Sequence, residues 1–542
     1  MPHGLDVTPD TVANARSEIA GRVADVPLAF AMTKPVDLRR FDFLFLELQD
    51  DPDNLLPESR ETRDALVDLG KAMADQGADD PVKDTDPPVS AAYTYFGQFV
   101  DHDITLEASS APGSRLTAPD LRPLPLGRIR GETQNVRTGV LELDSVYGLP
   151  AERDPQDSSK MRVGKVTKLQ EPDFPEQKPF LRPPETGPKK ANENDSPREK
   201  RNADVAHDRA ALIGDPRNDE NTIIAQLHLA FLLAHNRLVD ETDPPNRFRK
   251  AKKRLRRHYQ HLVLHDFLKQ VADSEIVDDT IEANKVYDPE EDEFFMPLEH
   301  SVAAFRFGHS MVRARYAFNL NFQPATLEQL FTFTALSGQF GEEIGFPNAE
   351  TLPENWIIEW ENFFDPEGGE PRSTTRRIDT ELVEPLDHLR IVSGQEEGGL
   401  AAKLAVRNLL RGYLLRMPTG QAVARALRKK LQGVRDVPVL TRQQVREGAA
   451  NQRQVEVLEE ADFLERTPLW YYVLAEAAVL GGGQRLGPVG STIVAEVLVG
   501  LVRRSPDSIL ALGTVWEPNL PSKTSGEFTL ADLLRFAGVL AD

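Results

Sequence analysis

Cysteine is missing altogether from this chain of 542 residues, which excludes disulfides, thiolate metal sites and cysteine nucleophiles together. Any metal must then be held by histidine, carboxylate or carbonyl oxygen. Positive charge is short as well: 64 Lys and Arg against 86 Asp and Glu leave a formal charge of −22. Binding to phosphate backbones draws on clustered Lys and Arg, and basic runs such as Arg249 to Arg257 sit inside an acidic whole, so no nucleic-acid partner is expected. Long apolar runs are also lacking. The best stretches, around Ile223 to Leu233 and Ile493 to Val502, are interrupted by Gln226, His228 and Glu496 and fall short of the roughly 20 residues a bilayer span needs. Between Met1 and Met32 the scattered Asp, Glu and Arg do not make the basic start and continuous apolar stretch of a secretory signal. These absences lead us to expect a soluble protein with no membrane span, cytoplasmic or secreted without a classical signal peptide.

What is present is core-forming. Hydrophobic residues make up 40% of the chain, enough for a large buried interior. Length alone suggests about three or four domains at roughly 150 residues each, but composition does not divide that way. Helical periodicity recurs over Val89 to Val100, Thr222 to Val239, Arg249 to Val271, Ser301 to Val312, Leu400 to Leu410 and Leu469 to Leu480. Strand-like alternation is scarce. The expected fold is mostly α, a single domain over 1–542, with an N-terminal extension over 1–40. Two Pro-rich, charged stretches, 170–209 and 364–388, are expected on the surface, with linkers between domains as the competing reading.

Three polar constellations interrupt the apolar pattern. In Tyr95 to Thr105, Gln98 and His102 are four apart and share a helix face, Asp101 lies on the flank, and Asp103 points about 100° from His102. A buried His102 suits a general base or a metal ligand, and Asp103 suits a hard cation; a helix end with a satisfied core histidine is the simpler alternative. In Ile213 to Asn221, Gly, Asp and Pro shape a turn whose Asn and Asp residues can cap the following helix. Helical spacing there would turn Arg217 and Glu220 toward a common pocket, whereas a capping box with an exposed Arg217 is the simpler alternative. His235-Asn236-Arg237 reads as a core hydrogen-bond cluster. In Ala304 to Ser310, His309 follows Gly308 directly, with Arg306 three residues earlier. Glycine lets a planar group approach the backbone, His309 could bind its metal, and Arg306 could pair with an acidic substituent. Asn408, in Arg407 to Gly412, carries an amide oxygen able to accept the ligand histidine's other N–H. A satisfied core histidine remains the alternative.

Together these segments resemble the animal-type haem peroxidase superfamily, the group of myeloperoxidase, peroxidasin and the cyclooxygenases, and most closely its bacterial members. The likeness rests on Phe96-Gly-Gln-Phe-Val-Asp-His-Asp103, Thr138-Gly-Val-Leu-Glu-Leu-Asp-Ser-Val-Tyr-Gly148, Gly214-Asp-Pro-Arg-Asn-Asp-Glu220, His235-Asn-Arg237, Phe305-Arg-Phe-Gly-His309, Arg407-Asn-Leu-Leu-Arg411 and Leu486-Gly-Pro-Val-Gly490. It implies a large helical fold with haem b buried between a distal and a proximal helix. By position, His102 resembles the distal histidine, Gln98 the distal glutamine and Arg217 the distal arginine. His309 would ligate the iron, Asn408 would orient it, and Arg306 would reach a haem propionate. Asp101 and Glu220 match the carboxylates that form ester bonds to haem. Asp103, Thr138, Val140 through its carbonyl, Glu142 and Asp144 match the family's calcium site.

The activity so implied is reduction of hydrogen peroxide and oxidation of halides, pseudohalides or small phenols by Compound I chemistry, with His102 moving the proton and Arg217 stabilising developing charge. Asn221 stands where myeloperoxidase has the methionine of its sulfonium link, so bromide, iodide, thiocyanate or phenols are expected as donors rather than chloride. Glu142 is longer than the usual aspartate. A fatty-acid dioxygenase is the rival within the superfamily. Its tyrosine three residues before the proximal histidine is replaced here by Arg306, and Tyr93, Tyr95 and Tyr259 are the other radical candidates. A silent calcium-binding or adhesion relative would be expected to lose His102, Arg217 or His309, and all are present. A non-haem metal site on His258, His261 and His265 is opposed by the neighbouring Arg254, Arg256 and Arg257.

Overall fold

Apolar periodicity becomes helix at most of the expected places. The computed structural model describes residues 39–75, 77, 80–108, 116–148, 152–168, 194–198, 209–288, 294–332, 334, 351–389, 399–511 and 515–541. Of the extension expected over 1–40, all but Arg39 and Arg40 lies outside the described residues. The helices that carry or brace the polar constellations are α1 (Arg60–Ala72), α2 (Ala92–Ile104), α3 (Thr222–Asp240), α4 (Arg247–His261), α5 (Leu404–Leu414), α6 (Leu469–Leu480) and α7 (Pro488–Arg504). One hydrophobic core extends from Phe41 to Leu540, so the chain forms a single, mostly helical domain.

Helix α3 is long and apolar enough to cross a bilayer by length and composition, yet 83% of its apolar window is buried inside the protein. A helix apolar all round is satisfied in the middle of a large core. Its start is set by Asn221, whose side chain accepts the Ile224 N–H at 3.0 Å. Phe231 of α3 stacks on Phe99 of α2 at 4.5 Å between centroids, and Tyr259 of α4 meets both rings edge-on. These contacts lock the three helices around the segment that carries Gln98 and His102.

The helix expected over 249–271 is continuous but not uniform: beyond α4 it widens through a π turn over Leu262–Phe267 and returns to α geometry over Leu268–Val271. The segment around His309 departs further from expectation. A π turn over Glu299–Ala303 tightens directly into a 3-10 helix over Ala304–His309, with Ala303 at φ −125°, ψ −76° at the joint. Residues i and i+3 eclipse in a 3-10 helix, so Arg306 and His309 project along one side more closely than an α-helix would allow. A four-stranded sheet joins this segment to the end of α2. Its strands β1 (Arg39–Asp42), β2 (Glu107–Ala108), β3 (Gln134–Asn135) and β4 (Met296–Pro297) run in the order β2-β3-β1-β4. Asn135 of β3 donates to the Ile104 carbonyl at 2.8 Å and accepts from Leu106 at 2.9 Å, which fixes the exit of α2.

The two stretches expected on the surface are partly interior. Within 170–209, Asp195, Ser196 and Arg198 are buried; the Arg198 guanidinium donates to Asp195 at 2.7 Å and to Asp219 at 2.6 and 2.8 Å. Within 364–388, Ser373, Arg376, Ile378 and Leu382 are buried, and Arg376 pairs with Asp75 and Glu381. Complementary pairing is what allows charge to enter the interior.

Candidate active site

Helix α2 presents its polar residues to the capped start of α3. His102 is fully buried, and its Nδ1 lies 2.7 Å from Oδ1 of Asn218. The Asn218 amide nitrogen in turn lies 3.0 Å from Nδ1 of His228. An amide oxygen can only accept, so His102 carries its proton on Nδ1, Asn218 donates onward to His228, and Nε2 of His102 is left as the basic nitrogen. Burial, reinforced by the nearby positive Arg217, holds the His102 pKa well below the ordinary imidazole value, so the ring is neutral. Asn218 and His228 were missed in the sequence reading; the signal was available, since Asn218 follows Arg217 within the quoted Gly214–Glu220 segment.

Arg217 and Glu220 both reach α2, one turn apart. Arg217 donates through Nε and Nη2 to Asp215 and through Nη2 to the carbonyls of His102 and Thr105 at 3.1 and 2.6 Å. Those two groups pin the end of α2, a structural duty beyond the expected stabilisation of developing charge. Asp215 also caps the 3-10 turn Pro216–Asp219 and pairs with Arg137. Gln98 donates to the Glu220 carboxylate and accepts from the Asn221 amide at 3.4 Å. Asp101 accepts from the Thr105 hydroxyl at 2.9 Å. Burial raises its pKa, but surrounding positive charge, that of Arg217 and Arg306 included, leaves the Asp101 carboxyl below the usual carboxylate range.

Across from α2 lies His309, 1% exposed. Thr94, Tyr95, Gln98 and Asn221 line a small pocket together with Gly308, His309 and Val312. Behind His309, Asn408 of α5 places its amide nitrogen 2.8 Å from Nδ1. Arg306 donates Nη1 to the Asn408 oxygen at 2.8 Å and Nε to the Ser301 carbonyl at 3.0 Å. This corrects one expectation: because a guanidinium only donates, the Asn408 oxygen faces Arg306 and not His309. A buried imidazole opposite the polar α2 wall, with Gly308 beside it and ionised Asp101 nearby, suits a haem, once the Asn408 amide turns over.

The residues expected to hold calcium are not gathered into a metal site: among the described residues no group of three or more histidines and carboxylates is placed to hold an ion. Asp103 accepts from the backbone of Leu143 and Ser145, each at 3.1 Å. Glu142 pairs with Arg256 of α4 at 2.9 Å, and Asp144 meets Arg137 at 3.4 Å. Val140 is buried, and the Thr138 hydroxyl is buried without a hydrogen-bond partner. The remaining candidates are structural. His235 Nδ1 pairs with the Tyr147 hydroxyl at 2.9 Å, and Asn236 exchanges two hydrogen bonds with the Met161 backbone. His258 donates through Nδ1 to Arg254 and accepts at Nε2 from the Asn519 and Leu520 backbone, so it has no lone pair left for a metal.

Residues 120–337 match the family model of the animal haem peroxidase. The match contains Arg217, Glu220, Arg306, His309 and the 138–148 loop, whereas Gln98, Asp101, His102 and Asn408 lie outside it. No curated protein matches the chain in sequence. Among solved structures it is similar to peroxidase A from Dictyostelium discoideum, at 15% identity with a TM-score of 0.53 over 89% of each chain. It is also similar to the fatty acid alpha-dioxygenase of Arabidopsis thaliana, at 13% identity with a TM-score of 0.51, covering 84% of this chain and 71% of that one. At these identities the structures speak for the fold alone. The family match over residues 120–337 and these fold likenesses agree in a similarity to the animal haem peroxidases.

Proposed function

We propose that the chain is a haem peroxidase that reduces hydrogen peroxide and oxidises bromide, iodide, thiocyanate or small phenols. The observation that carries the reading is the state of His102: a neutral ring with its proton fixed on Nδ1 by Asn218 and a basic Nε2. Such a group can take a proton from hydrogen peroxide and return it to the departing oxygen, a transfer that contributes roughly 10² to 10⁴ in rate. Haem, held through His309, would supply the redox chemistry. Burial, with Arg217 adding to it, keeps His102 neutral; Arg217 also fixes the end of its helix, and Gln98 orders the Glu220 carboxylate. Asp101 and Glu220 are the candidates for ester attachment. Asn221 caps α3, and an amide forms no sulfonium bond, which argues for donors other than chloride. Arg306 in place of a tyrosine three residues before His309 favours peroxidase over fatty-acid dioxygenase.

The test is an absorption spectrum of protein expressed with ample haem, followed by peroxide turnover with each donor. A Soret band lost in His309→Ala, and turnover that falls by roughly 10² or more in His102→Ala with haem retained, are expected. Acid–acetone extraction separates covalently attached from free haem. Peroxide-independent oxygen uptake with linoleate would move the assignment to a dioxygenase, and wild-type turnover in His309→Ala would end it.

A further inference from the structure

The loop 138–145 is where the superfamily resemblance implies calcium, and its neighbours supply the opposite of what a cation needs. Arg256 of α4 lies along it, donating Nε to the Glu142 carbonyl at 2.8 Å and Nη2 to the Glu142 carboxylate at 2.9 Å. The two side chains are only 12% and 13% exposed, so this is an interior pair. One guanidinium thereby engages the Glu142 carbonyl and one of its two carboxylate oxygens. One turn further along α4, Gln260 donates to the Leu141 carbonyl at 3.1 Å. On the other side Arg137 reaches Asp144, and both oxygens of Asp103 are engaged by backbone N–H groups.

A hard divalent cation asks for six to eight oxygens at close range. To gather them here it would have to strip Glu142 from Arg256 and sit beside two fixed guanidinium charges at low dielectric, where repulsion is poorly screened. The buried Thr138 hydroxyl and the closeness of three carboxylates, Asp103, Glu142 and Asp144, speak for an ion, but Arg256 and Arg137 already pair with Glu142 and Asp144 and supply the positive charge an ion would bring. The basic run that made α4 conspicuous in an acidic chain has the same use elsewhere: Lys253 pairs with Asp507 and Arg247 with Asp157.

We propose that Arg256 takes the place of calcium in this protein, ordering the 138–145 loop by an internal guanidinium–carboxylate pair, so that the folded chain neither holds nor needs the ion. The test reads stability and metal content, not turnover. The full-length protein, with any haem it carries, is dialysed against EGTA, divided, and returned in part to CaCl₂; melting temperature and bound calcium are then measured. The expected result is one melting temperature in both buffers and substoichiometric calcium, with Arg256→Gln melting several degrees lower and Arg256→Lys between the two. A wild-type protein that melts lower in EGTA and regains one calcium per chain would overturn the proposal. So would an Arg256→Gln protein that melts with the wild type. If Arg256→Gln does not fold, the wild-type comparison in EGTA and CaCl₂ decides alone.

Discussion

Arg306 donates to the side-chain oxygen of Asn408 at 2.8 Å, and that bond decides which end of the amide faces His309. With Nδ2 of Asn408 turned to Nδ1 of His309 at 2.8 Å, the ring must accept there and carry its proton on Nε2. A histidine that binds iron through Nε2 needs the reverse, a proton on Nδ1 and an acceptor behind it. Haem uptake is therefore expected to turn the Asn408 amide over and release Arg306.

Asn408→Asp tests this directly. A carboxylate accepts from Arg306 and from His309 Nδ1–H together, so no rearrangement is needed. The variant should take up haem faster than wild type, and its iron should have a lower midpoint potential because a charged acceptor strengthens imidazole donation. Asn408→Ala should lose roughly 10- to 100-fold in haem affinity. Haem titration of the apoprotein and spectroelectrochemistry read both effects; wild-type affinity in the alanine variant would show that Asn408 does not position His309.

Asn218 should matter to turnover and hardly at all to haem binding. Its oxygen is the acceptor that keeps the His102 proton on Nδ1. Asn218→Ala lets the proton move to either nitrogen, and the rate constant kcat/KM for hydrogen peroxide should fall by roughly 10²-fold. The Soret spectrum should be unchanged. An equal loss of haem would mean that Asn218 is a packing residue.

Activity should be flat across mildly acid pH. An ordinary imidazole near 6.5 loses about tenfold of its neutral form for each pH unit below that value, but burial and Arg217 depress His102 well below it. Its neutral, basic form should therefore persist as pH falls through 6.5, and kcat/KM for peroxide should show no imidazole limb there. A limb centred near 6.5 would contradict the buried, neutral His102.

What the chain discloses without coordinates depends on the range of the interaction. Helix α3 was legible because apolar periodicity and the Asn221 cap are both local. That Gln98 and His102 share one helix was legible from their spacing. The facing of the Asn408 amide was not, since it is set by Arg306, 102 positions away. The calcium expectation depended on Glu142 being available, and Arg256, 114 positions away, makes it otherwise. The charged stretches around Arg198 and Arg376 looked exposed by composition, because pairing with Asp219 and Asp75 leaves no trace in the local pattern.

Alkaline pH should weaken the fold through Glu476. This residue of α6 is fully buried beneath the start of α7, where it accepts from the Val489 backbone at 2.9 Å and the Gly490 backbone at 3.2 Å. Burial, only partly offset by those N–H groups, pushes its carboxyl up to about 8 from the ordinary 4.5. A raised carboxyl favours the folded state while it is protonated there. Its contribution is fully present below the unfolded value of 4.5 and is lost as pH rises toward about 8. Between those values the folded chain binds nearly one extra proton at this site, a slope of about −1.4 kcal/mol per pH unit. Glu476→Gln, uncharged at every pH, should remove nearly one proton from the pH dependence of unfolding, read from denaturant titrations between pH 5 and pH 8. Parallel curves for variant and wild type would show that Glu476 is ionised in the folded protein throughout.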